Sequence, residues 1–162
     1  MSSKLFKNPI LEKIISGIGI IVIGYVLLIL TFLLAAVFQG LLSRLFGLFI
    51  QFNEHSPYII IPGIMRILFL IFIFLISWLI LHKSKLPDFW KATFMVVPLA
   101  TALVTIGIFF YQTPAIVYLL GLIFGIAIFY YLYKTKKSWL YYFSLFFISI
   151  LMLLVQFLKI EI

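Results

Sequence analysis

The sequence predicts an all-α fold, a polytopic bundle of membrane-spanning helices, on three observations. The chain of 162 residues is 66% hydrophobic and only 10% charged, whereas charged residues make up about a quarter of a typical soluble domain. Its apolar residues fall in five runs of helix-spanning length, and roughly 20 such residues cross the hydrocarbon core as a helix. Lysines cluster in short stretches beside these runs, the signature of loops on the cytoplasmic side. Five spans are expected, over about 14–38, 57–81, 92–110, 115–133 and 139–158. No loop is long enough for a soluble domain, so residues 1–162 form a single transmembrane domain.

The net charge of +8 raises the question of nucleic acid, but lysines placed beside hydrophobic spans argue for a membrane surface instead. The absence of cysteine excludes disulfides, iron–sulfur clusters and thiol catalysis.

Asn8-Pro9 is a helix-start signal: the asparagine side chain caps free N–H groups, and proline needs no partner at the first helical position. The span that follows is too long for a signal-peptide core of about 7–15 residues and is read as a retained anchor. Within it Gly17, Gly24 and Thr31 recur every seven residues, with Ala35 one turn later. They offer a face of small side chains to a neighbouring helix, although glycines are also simply common in membrane helices.

One helix continued to Phe52 would be near 58 Å long at 1.5 Å per residue, about twice the hydrocarbon core. A turn is therefore expected near Gln39-Gly40, followed by a short interfacial helix around 40–52. There Gly40, Ser43, Arg44, Gly47 and Gln51 lie at helical spacing among leucines and phenylalanines, apolar side down. A re-entrant hairpin is the alternative.

Ser56-Pro57 starts the second span by the same cap-then-proline logic. Asp88 is the expected cap of the third, in which Thr101 and Thr105 follow Pro98 on one side and face a neighbouring helix. Thr113-Pro114 opens the fourth, which carries the GxxxG pair Gly121 and Gly125. Ser138 is the expected cap of the fifth. Lysine-rich segments alternate with lysine-poor ones, which places the N-terminus in the cytoplasm and the C-terminus outside, in the cell (plasma) membrane.

Chemistry concentrates between Gln39 and Arg66, which holds both arginines and the Glu54-His55 pair. None of the four carboxylates lies inside an expected span, which counts against ion-coupled transport by a single chain. His55 and His82 fall on opposite sides, about 30 Å apart across the core, and cannot share a metal or haem. No nucleophile–base pair or acid dyad is present, so an enzyme is the weakest functional class, and no cofactor is expected.

Arg66 follows Pro57 by nine residues and sits below the outer interface, where an arginine either snorkels to the headgroups or meets a partner. The partner is Glu54 or an anionic ligand. With Arg44, His55, Gln112 and Gln156 at the same outer level, these residues form a candidate polar mouth. The bland reading of Glu54-His55 is a solvated loop complementing the helix dipole. At the midplane Tyr25, Thr101 and Ser149 are expected at nearly equal depth. Tyr25 is expected to turn inward towards the third or fifth span, and the Tyr142–Ser149–Gln156 face of the fifth to turn inward too. A tyrosine hydroxyl, unlike that of Thr or Ser, cannot easily bond its own helix.

The leading expectation is a non-enzymatic accessory or assembly subunit, its partners being the lipid bilayer and other membrane subunits or further copies of the chain. The alternative is a small transport or lipid-binding protein with an outward-facing site at Arg44, Glu54, His55 and Arg66. No nucleic-acid partner is expected.

Overall fold

Prolines mark where three of the helices begin. The computed structural model describes residues 9–49, 60–83 and 85–157. It contains α1 (Pro9–Phe49), α2 (Ile60–Lys83), α3 (Asp88–Phe109), α4 (Pro114–Lys134) and α5 (Trp139–Phe157). Pro9 and Pro114 are first residues of their helices and Pro87 immediately precedes α3, positions at which the missing N–H costs nothing. The all-helical membrane bundle is therefore what the chain forms. Four helices, α1 to α4, are long and apolar enough to cross a membrane. The described apolar stretch of α5, Trp139–Val155, is shorter.

The break expected at Gln39-Gly40 does not occur. Residues 40–49 continue α1, which is unbroken over 41 residues and so about 62 Å long. The separate interfacial helix is corrected accordingly. Glycine in a helix interior costs only about 1 kcal/mol relative to alanine, Gly40 keeps a negative φ, and no proline follows before the helix ends. Neither residue is a sufficient stop, and excess helical length is absorbed by tilt or projection beyond the bilayer.

Connections 84–87, 110–113 and 135–138 are short, so α2 to α5 run as antiparallel neighbours. Side-chain contacts show that α1, α3 and α5 point the same way. Gly19 meets Phe89 and Gly24 meets Val96 of α3, while Gly17 and Gly24 meet Phe143 and Phe147 of α5. The start of α1 and the end of α5 therefore lie at opposite ends of the bundle. Lys13, Lys85, Lys91, Lys134, Lys136 and Lys137 collect at one end, with Trp78, Trp90 and Trp139 near the same level.

The centre is α3. Nine of its 22 residues are buried, against two of the 21 in α4. Ile20 and Leu28 of α1, Val96 and Leu99 of α3, and Leu145 and Ile148 of α5 form the core. Small residues let α1 approach: a Cβ on Gly17 would stand 3.3 Å from the Phe143 ring, and one on Gly19 only 3.0 Å from Phe89. The α1–α2 contact is aromatic, with Phe38 between Phe69 (centroids 5.4 Å) and Phe72 (5.3 Å).

Two buried hydroxyls that the sequence reading passed over, Thr93 and Ser144, donate to the carbonyls of Phe89 (2.8 Å) and Leu140 (3.1 Å) in their own helices. That removes the cost of a buried polar group without a partner.

Several local expectations change. Tyr25 is 53% exposed and faces away from α3 and α5, with no hydrogen-bonding partner among the described residues. The glycine face, one step round the helix, takes the interior because it permits closer approach than tyrosine. The Tyr142 and Ser149 part of α5 does turn towards its neighbours: Tyr142 packs edge-on against Phe129 of α4 (5.4 Å), and Ser149 lines a cleft described below. The side chain of Gln156 lies outside the described residues.

Of the expected caps, Asp88 is the first helical residue rather than the cap. The Thr113 hydroxyl donates back to the Phe110 carbonyl (3.3 Å) rather than capping α4, and the buried Ser138 hydroxyl makes no hydrogen bond among the described residues. The C-terminus of α4 is better closed. Lys136, at φ 49°, donates its N–H to the Tyr133 carbonyl and Lys137 to that of Leu132, both at 3.1 Å, a Schellman closure with lysine where glycine is usual.

Candidate functional site

Three helices bring polar groups together at one place, a cleft of about 160 Å³ between α1, α2 and α3. Its α1 wall is the stripe Thr31, Ala35 and Gln39, spaced by four residues and so stacked on one helix face. From α3 come Thr101 and Thr105, again four apart, and from α2 come Arg66 and Phe69. The remaining lining is apolar, including Leu28, Phe32 and Val104.

The level of Arg66 follows from its neighbours. Gly63 lies against Phe109 at the end of α3, and Arg66, three residues on, is about 4.5 Å deeper at 1.5 Å per residue. Trp78, near the lysine-bearing end, is roughly 18 Å deeper still. Arg66 thus belongs to the half of the bundle opposite the lysines, below the α3–α4 turn.

Arg66 is half-buried and has no hydrogen-bonding or ion-pairing partner among the described residues. The acids Glu12 and Asp88 sit at the other end of the bundle. Each threonine hydroxyl around the cleft is already committed to its own helix. Thr31 donates to Leu27 (2.7 Å), Thr101 to Val97 (2.8 Å) and Thr105 to Thr101 (2.6 Å). The donors left to a visitor are the Arg66 guanidinium and the Gln39 amide.

The other expected members are not gathered here. Arg44 is exposed on α1 and does not line the cleft. Gln112 is exposed in the α3–α4 turn and donates to the Tyr111 hydroxyl at 2.9 Å. Glu54 and His55 lie outside the described residues. Gln39 was read from sequence as a turn residue. Its four-residue spacing from Ala35 and Thr31 was the available signal, usable only once α1 is taken through Gly40.

A second, larger cleft of about 460 Å³ opens between α3, α4 and α5, with Gly121, Gly125, Tyr118 and Ser149 among its lining. A Cβ on Gly125 would meet nothing within 4 Å, and one on Gly121 only Leu103 at 3.7 Å. The GxxxG face of α4 therefore looks into open space, whereas Gly17 and Gly24 of α1 are packed within the bundle. Thr31 lines the first cleft. The larger cleft carries no charge, so the polar convergence singles out the smaller one.

Comparison with protein-family models, with curated proteins and with solved structures finds no match for this chain.

Proposed function

We propose that this is a small, non-enzymatic, multi-pass membrane protein that holds an anionic amphiphile in the α1–α2–α3 cleft. The lysine-bearing end faces the cytoplasm and the arginine-bearing end the outside of the cell membrane. The observation that carries the reading is the convergence of Arg66 and Gln39 on an otherwise apolar cleft whose hydroxyls are already spent. A cation in a low-dielectric cleft is costly without a counter-charge, and an anionic headgroup supplies one. Ligand pockets usually run to about 300–1,000 Å³, so a cleft of about 160 Å³ suits one end of an amphiphile whose remainder lies in the bilayer.

Mass spectrometry of lipids co-purified with the wild-type chain and with Arg66→Gln tests the reading. Anionic lipid should be enriched over the bulk extract in the wild type and lost in the variant.

A second reading, an accessory or assembly subunit, is favoured by α4. Its exposed length and the open face at Gly125 suit the close approach of another protein's helix. A stoichiometric partner, with no lipid enrichment that depends on Arg66, would favour it.

A further inference from the structure

We infer that the α1–α2–α3 cleft selects a phospholipid whose phosphate is a diester with a single negative charge, in preference to a doubly charged phosphate monoester or a zwitterionic lipid. This rests on the amphiphile-binding reading above and adds the class of headgroup.

The argument is a count of charges and donors. One guanidinium supplies one positive charge, and its planar fork can donate two parallel hydrogen bonds to two phosphate oxygens. Gln39 adds a neutral amide donor. The hydroxyls of Thr31, Thr101 and Thr105 donate to the carbonyls of Leu27, Val97 and Thr101, so they present only lone pairs to the cleft.

A second negative charge would find no counter-charge and would face acceptor oxygens instead. In a half-buried site that imbalance is expensive. A zwitterionic headgroup carries the same diester but adds a cation. That cation would meet Arg66, the only charged residue lining the cleft, and like charges repel. The apolar lining at Phe32, Phe69 and Val104 distinguishes a lipid from a free anion, because it is matched only by acyl chain.

Native mass spectrometry of the full-length chain in detergent tests this, with equimolar phosphatidylglycerol, phosphatidic acid and phosphatidylcholine at a pH where the monoester is largely doubly ionised. Phosphatidylglycerol adducts should exceed those of each competitor about tenfold, the effect of some 1.4 kcal/mol. They should fall about tenfold in Arg66→Gln and less in Arg66→Lys, which keeps the charge but loses the two-pronged donor, with helicity by circular dichroism confirming that both variants fold. Phosphatidic acid binding as well as phosphatidylglycerol, or phosphatidylcholine doing so, would overturn the charge selection while leaving lipid binding standing. Displacement by equimolar glycerophosphoglycerol, the same diester without acyl chains, would show a free-anion site and overturn the lipid assignment. If no lipid adduct depends on residue 66, the amphiphile reading itself fails.

Discussion

Gly24 of α1 lies against Phe147 of α5, so that a Cβ built on the glycine would stand 3.4 Å from the ring. Val96 of α3 approaches the same point at 3.6 Å, which makes Gly24 the place where α1, α3 and α5 meet. Between helices in lipid there is no hydrophobic driving force, so association depends on close contact of this kind.

Gly24→Leu should therefore destabilise the bundle by about 1–3 kcal/mol through overpacking. Gly125→Leu, where a Cβ meets nothing within 4 Å, should change it by no more than about 0.5 kcal/mol. Denaturant titration in mixed micelles, followed by helicity, compares the two. Equal effects would mean that the two glycine faces are not packed differently.

Tyr25→Phe is expected to be silent. With the side chain 53% exposed and making no hydrogen bond among the described residues, loss of the hydroxyl should alter stability by less than about 0.5 kcal/mol. A loss well above that in the same titration would return Tyr25 to the interior.

Lys136 is held at φ 49°, where a side chain is strained and glycine is not. Lys136→Gly should stabilise the α4 closure by up to about 1 kcal/mol, the backbone gain being reduced by the loss of a cation at a helix C-terminus. A higher midpoint of thermal unfolding is the expected result, and a lower one would show that the charge outweighs the strain.

Orientation can be read with reporters. An enzyme fused after Ile162 should report the external side and one inserted between Thr135 and Lys137 the cytoplasmic side, because lysine-rich segments stay inside. A cytoplasmic signal at Ile162 would mean that α5 does not cross.

Phe38 sits between Phe69 and Phe72 one residue before Gln39, and so helps to set the α1–α2 spacing at the cleft. Phe38→Ala should cost about 3–5 kcal/mol if the site behaves as a packed core, and less where lipid fills the gap. It should also weaken lipid retention, read by the same lipid mass spectrometry. Unchanged retention would show that the cleft does not depend on this contact.

Composition and the spacing of lysines were enough to determine an all-helical membrane bundle with short connections, because uncharged runs of this length have few other stable forms and prolines punctuate them. Thr31, Thr101 and Arg66 were each singled out by sequence for separate places, a small-residue face, the midplane and an outer mouth, and their meeting in one cleft was not legible. Three things were decided only by tertiary structure: that α1 continues through Gly40, that Gly24 rather than Tyr25 faces inward, and that Gln39 rather than Arg44 shares the cleft with Arg66. The physical reason is common to all three. In lipid an apolar side chain is satisfied on either face of a helix, so hydropathy does not say which face turns inward. A glycine or glutamine costs a helix too little to stop it. What chooses the face is the fit of Phe143, Phe147 and Phe89 against the glycines of α1, a matter of shape between distant parts of the chain.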